Sequence, residues 1–252
     1  YETLAFHYSR GDDVDGAIDF LIKAGQKAIR RTDSQAAIAL LRRGLEFVER
    51  MEDTERRRSA ELEYRIVLGG ALAVAQGYGA TEVADNYDRV RELCLEADST
   101  PYLFEALHGL TSYYLVKGDL RICSELAVEQ LRHAQHLGRS EYQLEANLAA
   151  GLSDMHRGQL QRGRPYIEKA LSLYDMREHE HLAFLYGHDP AVAAYSQLPM
   201  GLWAEGYPDR AREMCVRCID FAHEKNHPPS LAMAYALVPI TYHLLREPES
   251  VL

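Results

Sequence analysis

The sequence predicts an all-α chain, an α-solenoid of stacked antiparallel helix pairs with about 12 helices, and three observations carry that prediction. The first is the stretch from Gln143 to Asp175, QLEANLAAGLSDMHRGQLQRGRPYIEKALSLYD, which lays out one complete helix pair. Gly151 falls in the middle of its first helix, Gly158 at the turn and Gly163 early in the second helix, with Ile167 and Ala170 following about a turn apart. Two antiparallel helices approach closely only where one of them presents no side chain, so the glycines mark the crossing. The second observation is recurrence: the small residue early in the second helix returns at Ala84, Cys123, Gly163 and Ala211, spaced by 39, 40 and 48 residues. The third is that no segment alternates polar and apolar residues between turns as a half-buried strand does. A single pair cannot bury its apolar stripe alone, so each pair implies a neighbour.

Taken in order, Leu4, Ala5 and Tyr8 lie at helical spacing between Tyr1 and Arg10, and Gly11 to Asp13 breaks the pattern. A helix from about Val14 to Arg30 carries Ala17, Leu21 and Ala24 at small, bulky and small places. Thr32 or Asp33 can cap the next helix, which runs to about Met51 with Ala37, Leu41 and Gly44 in the same three places. The segment Asp53 to Gln76 opens on a charged run, Glu55 to Arg58, read as a solvated first turn, and then becomes apolar through Leu62, Ile66, Leu68, Ala71 and Leu72. Gly77 to Gly79 turns the chain into Thr81 to Ala97, with Ala84, Tyr87 and Val90 facing inward. Pro101 suits the first turn of a helix with Leu103, Leu107, Leu110 and Tyr114 on its apolar face. Gly118 and Asp119 lead to a helix with Cys123, Ala127 and Leu131. Beyond the central pair, Pro190 and Pro199 read as a break and a kink. Gly206 and Pro208 mark a further turn before Ala211, Cys215 and Cys218, and Pro228 and Pro229 open a last helix that Pro239 is expected to interrupt.

The totals bound the function. In 252 residues, 47% are hydrophobic, enough for a sizeable core, yet no apolar run reaches the roughly 18 residues of a membrane span. Charged residues make up 26% and the formal charge is −10, with no long Lys/Arg cluster. Such a chain is a poor electrostatic match for nucleic acid or an anionic membrane, and neither partner is expected. The four cysteines show no disulfide-scaffold spacing and fall in helical patterns, which suits a reducing, cytoplasmic setting. The chain starts at Tyr1 with no apolar leader, and is read as one repeat domain over 1–252, a fragment of a longer protein.

The Gly151, Gly158, Gly163, Ile167 and Ala170 pattern resembles a tetratricopeptide repeat, whose unit is about 34 residues; the longer spacings here point to long helices and divergent repeats. Three phrases extend the resemblance over nearly the whole chain: LAFHYSRGDDVDGAIDFLIKAGQKA near the start, GYGATEVADNYDRVRELC from Gly77 to Cys94, and LAFLYGHDPAVAAYSQLPMGLWAEGYPDRA from Leu182 to Ala211. They resemble the helical-repeat region that follows the ATPase module in large bacterial signalling proteins, namely adenylate or guanylate cyclase-linked ATPases and LuxR- or MalT-like regulators. That resemblance implies a sensing or scaffolding domain beside a nucleotide-binding switch. The switch's own phosphate loop and the cyclase motifs do not occur in this sequence.

Three constellations bear on chemistry. No Gly-rich loop is followed by Lys and Ser/Thr, and Gly69-Gly70 lies in mid-helix, so no nucleotide or other cofactor is expected. Cys215 and Cys218, followed by His223 and His227, offer zinc-type residues, but only four residues separate the pairs where a finger needs about a dozen. Both cysteines also take core-facing places, so packing is the preferred reading. The cluster Glu178, His179, Glu180, His181, His188 and Asp189 could serve a metal-binding or hydrolytic site. Neighbours at alternate positions of a helix do not share a face, however, and His188-Asp189-Pro190 reads as a helix cap. The remaining possibility is a peptide groove on the first helices of the pairs, lined by Phe6, His108, Ser112, Leu152, His156, Met200 and Trp203. It lacks the Lys and Asn set that clamps a terminal carboxylate, so an apolar or mixed groove is expected, with Met200 and Trp203 as adaptable anchors. The sequence thus points to a non-enzymatic interaction domain whose partner is a protein or peptide segment, or a neighbouring domain of the same chain. A purely structural spacer that self-associates is the other non-enzymatic reading.

Overall fold

The computed structural model describes residues 14–96, 102–247 and 249, and these are helical with no β-strand among them. The expected first helix, with Leu4, Ala5, Phe6 and Tyr8, and the expected role of Pro101 lie outside the described residues. The chain, read from sequence as one domain over 1–252, divides into two compact units, Tyr1–Tyr113 and Tyr114–Leu252, each described by itself. No described helix is long and apolar enough to cross a membrane.

The first unit contains α1 (Val14–Arg30), α2 (Ser34–Val48), α3 (Thr54–Gln76), α4 (Thr81–Glu96) and most of α5 (Leu103–Lys117). Each of α1 to α3 packs against the next. The starts are set by side-chain caps: Asp33 accepts the Ala36 N–H at 3.0 Å, and Asp53 accepts those of Glu55 and Arg56 at 3.0 and 3.1 Å. Close approach relies on tyrosines seated over glycines. The Tyr64 ring lies where a Cβ on Gly44 would stand, and the Tyr87 ring lies against both Gly69 and Gly109. The Tyr64 hydroxyl donates to the Ile18 carbonyl, so its polar end is satisfied although the residue is buried. Gly69, noted in the sequence only for its place in mid-helix, is thus the socket for Tyr87.

The second unit contains α6 (Leu120–Leu137), α7 (Ser140–His156), α8 (Leu160–Leu173), two short helices α9 (Met176–His179) and α10 (Leu182–Tyr186), then α11 (Pro190–Ala204), α12 (Pro208–Lys225) and α13 (Pro228–Leu245). Helices α7 and α8 form one hairpin and α11 and α12 the next; α11 also packs on α7 and α8 before it and on α13 after it. At the α7–α8 crossing the backbones touch. A Cβ on Gly163 would lie 2.6 Å from the Gly151 carbonyl oxygen and 2.9 Å from the Met155 amide nitrogen. One core cluster joins α7, α8 and α11 through Leu148, Met155, Ile167, Leu198 and Leu202; a second joins α11, α12 and α13 through Val192, Cys215, Cys218, Val238 and Tyr242. The spacing of 48 residues now has its cause. The chain between α8 and α11 folds into α9 and α10, an insertion that lengthens this repeat alone.

One expectation about proline changes. Helix α13 runs unbroken from Pro228 to Leu245 with Pro239 inside it, and α11 likewise continues through Pro199. A proline removes one N–H and crowds the carbonyl four residues before it, at a cost of about 3 kcal/mol. Each of these helices is clamped on two sides by neighbours, and the apolar burial of residues such as Leu198, Leu202, Val238 and Tyr242 outweighs that local loss. Pro190 behaves as expected, occupying the first turn of α11.

Candidate functional site

Helices α7 and α11 lie side by side, and the contact that holds them is specific. Gly201 on α11 leaves the space that the Met155 methyl of α7 fills. Around this contact fall four of the residues expected to line a groove. On α7, Leu152 is half-buried against the core cluster of α7, α8 and α11, and His156 is exposed. On α11, Met200 is half-buried and Trp203, the chain's single tryptophan, is 37% exposed. The same pair of helices therefore presents two apolar side chains, an indole and an imidazole that the core leaves partly uncovered. Helix α13 packs beside α11. His108 and Ser112 lie on α5 in the first unit; His108 is buried with its ring edge-on to Tyr78 at 6.3 Å, and Ser112 is half-buried. Phe6 lies outside the described residues.

At the N-terminal end of α11 is a buried polar cluster centred on Asp189, which is fully buried. One carboxylate oxygen accepts the N–H groups of Ala191 and Val192 at 2.9 and 3.2 Å, capping α11. The other accepts the Tyr174 hydroxyl at 2.7 Å and lies 3.6 Å from Lys225 Nζ, whose side chain is only 4% exposed. The Asp189 N–H donates to Ser230 Oγ at 2.7 Å, and that hydroxyl also meets His227 Nδ1 at 2.8 Å. One residue thus ties the end of α8, the start of α11, the end of α12 and the start of α13. Burial pushes the His188 imidazole down to about 4 and lowers that of His227, so both rings are neutral at ordinary pH. Burial, reinforced by the charge of Asp189, pushes the Glu145 carboxyl up to about 8.

The histidine-rich segment has structural work to do. The Asp175 N–H donates to His179 Nδ1 at 2.9 Å, which leaves Nε2 to donate to Ser140 Oγ at 3.2 Å, and the ring pins the insertion to the start of α7. His181 Nδ1 meets the Glu178 carbonyl at 3.0 Å, and Asp189 is the expected cap. Among the described residues no group of three His, Cys, Asp or Glu side chains is gathered about a point that could hold a metal. Cys215 and Cys218 are fully buried in the core of α11, α12 and α13, and burial pushes their thiols up to about 11 and about 12. Thiols held so far from ionisation are poor nucleophiles and poor ligands, in line with the packing reading.

The sequence missed Tyr174, Lys225, Ser230 and Glu145. For the first three no local signal exists, because they meet Asp189 from distant places in the chain. Glu145 did leave a trace: it precedes Leu152 by seven residues on a stripe of α7 whose neighbours Leu144 and Leu148 are buried apolar residues.

No family model matches the sequence. An uncharacterized protein of Rhizobium meliloti is 24% identical over 234 residues, covering 89% of this chain; the chain spans about a fifth of that relative's length, 22%. Among solved structures, NprR in complex with its cognate peptide NprX superposes over 99% of this chain and 67% of its own, with a TM-score of 0.70 and 12% identity. The Rap protein complexed with competence and sporulation factor also matches over 99% of this chain, and 76% of its own, with a TM-score of 0.70 and 12% identity. A signal-transduction ATPase with numerous domains from Pyrococcus horikoshii, described as having a tetratricopeptide repeat sensor, matches over 95% of this chain and 35% of its own, with a TM-score of 0.60 and 17% identity. At these identities the likeness is one of fold. Helix pairs closed over glycines, packed on their neighbours within each unit, give this chain a tetratricopeptide-like helical-repeat fold.

Proposed function

We propose that the chain is a non-enzymatic sensing or docking domain that binds an extended protein or peptide segment on the first-helix wall of the second unit, α7, α11 and α13. The observation that carries this reading is the placement of Leu152, His156, Met200 and Trp203 around the Met155–Gly201 contact, where apolar groups are held half-open by a rigid core. Large amphipathic side chains in such settings supply most of the binding energy of an interface. Two structures of similar fold are complexes, one with a cognate peptide and one with competence and sporulation factor, and a third is a signal-transduction ATPase with a tetratricopeptide repeat sensor. By the same likeness, the domain regulates an attached nucleotide-dependent module: an ATPase, a cyclase or a transcription regulator. A ligand shifts such a module only by preferring one shape of the repeat over another.

Peptides selected from a random library against the domain test this reading. Trp203→Ala is expected to weaken the selected peptides by a factor of about 30, corresponding to roughly 2 kcal/mol for an anchor residue, and Met200→Ala by a smaller factor. Equal affinity for wild type and both variants, measured by calorimetric titration, would remove the groove from consideration.

A further inference from the structure

Two first helices of the proposed wall, α11 and α13, are joined at their starts through a single hydroxyl. Ser230, buried in the first turn of α13, accepts the Asp189 N–H at 2.7 Å, and Asp189 caps α11. The same Oγ lies 2.8 Å from Nδ1 of His227, the buried residue at the N-cap of α13. Since Oγ already accepts from Asp189, the arrangement that satisfies all three groups has the hydroxyl donate to Nδ1, and the ring then carries its own proton on Nε2. The elements around this joint each set a group beside it. From the end of α12 comes Lys225, 3.6 Å from the Asp189 carboxylate, and from the end of α8 the Tyr174 hydroxyl, which donates to the same oxygen at 2.7 Å. His188 precedes Asp189 in the turn before α11, and α10 brings the Phe184 ring, T-shaped to His227 with centroids 5.2 Å apart. The carboxylate of Asp189 would favour a cation on His227, but it is already met by Lys225 and by the N–H groups of Ala191 and Val192.

We infer that His227 is an acid-sensitive joint: a proton on Nδ1 turns the acceptor of the Ser230 hydroxyl into a second donor, and the starts of α11 and α13 part. The imidazolium adds a buried positive charge beside Lys225, and the Ser230 hydroxyl must turn its own proton away from the ring in a place closed to water. Moving His227 and Ser230 outward relieves both, and the Asp189 N–H loses its acceptor. The Met155–Gly201 contact lies toward the other end of α11, so the loosening is confined to the helix starts. The direction with pH follows from burial, which holds the His227 imidazole below its ordinary value of 6.5. Its contribution to stability is complete above 6.5 and is lost as pH falls below that value toward the lowered one. His188, held at about 4, takes its proton in more acid solution. The consequence for ligand binding rests on the groove reading; the loosening of the joint does not.

Amide hydrogen exchange on the ligand-free chain, corrected for the intrinsic effect of pH, reads the joint directly. Protection of segments 190–196 and 228–235 is expected to fall about tenfold between pH 7 and pH 5, while segment 144–150 of α7 keeps its protection. His227→Asn, which sets an oxygen near the place of Nδ1 but takes up no proton, is expected to abolish that fall. Lys225→Met removes the neighbouring cation and frees the Asp189 carboxylate to favour the imidazolium, so it is expected to move the fall to higher pH, which keeps the test open should the asparagine variant fail to fold. Nitrogen-15 spectra of the imidazoles, with the His227 signal identified by its loss in His227→Asn, are expected to show the Nε2–H form at neutral pH. Unchanged protection at pH 5, a fall shared equally by segment 144–150, a fall retained by His227→Asn, an unmoved or lowered midpoint in Lys225→Met, or a proton on Nδ1 at neutral pH overturns the inference. A peptide selected against the wall is expected to bind about tenfold more weakly at pH 5 than at pH 7, and equally at both in His227→Asn. Should no peptide bind the wall, the exchange result stands unaffected; should peptides bind while protection ignores pH, the inference alone falls.

Discussion

Asp189→Ala is expected to be among the most damaging single substitutions in the second unit, lowering its stability by about 3–5 kcal/mol. The reason is that four elements lose a shared partner at once. The α11 cap is worth about 1 kcal/mol by itself. The larger part comes from Lys225, left as a cation in a site where its side chain is 4% exposed, and from the Tyr174 hydroxyl, left without its 2.7 Å acceptor. Because the loss comes from stranding a charge, Lys225→Met in the same chain should restore part of it, and the two changes should combine to less than their sum. Urea unfolding of the single and double variants measures this. A loss of about 1 kcal/mol for Asp189→Ala, with strict additivity, would mean that the residue is only a helix cap.

Gly163→Val is the second large effect, expected to cost about 3 kcal/mol or more. An alanine already places its Cβ 2.6 Å from the Gly151 carbonyl oxygen and 2.9 Å from the Met155 nitrogen, and these are backbone atoms that cannot rotate away. In an open helix position, replacing glycine by alanine gains about 1 kcal/mol. A net loss for Gly163→Ala, and a greater one for Gly163→Val, therefore reads the backbone contact itself, free of propensity. Thermal unfolding that leaves both variants as stable as wild type would show that α7 and α8 do not cross there.

The α7–α8 hairpin was legible in the sequence because close approach demands small residues at fixed places, and Gly151, Gly158 and Gly163 supply that signal within a span of 13 residues. Helix α1 was readable to its ends, Val14 and Arg30, from spacing alone. Pro239 was misread because a propensity argument sees one helix at a time, whereas α13 is packed against α11 and α12, which only the fold supplies. The α9–α10 insertion was visible as an anomalous spacing of 48 residues but not as structure, since its anchor, His179 on Ser140, joins positions 39 residues apart. The Asp189 cluster was half legible. The cap follows from His188-Asp189-Pro190, while Tyr174, Lys225 and Ser230 come together only when α8, α12 and α13 are in place. Of the residues proposed for the groove, Leu152 and His156 fall on α7 and Met200 and Trp203 on α11, two helices that pack together.

The most direct test of the account places a photoreactive residue at Leu152 or Met200, on the first-helix wall, and in a separate variant at Val216, which is 50% exposed on α12. A peptide selected against the domain is predicted to be captured from positions 152 and 200 and to escape capture at 216. Capture at 216 with none at 152 or 200 would place the ligand on the second helices and contradict the central claim.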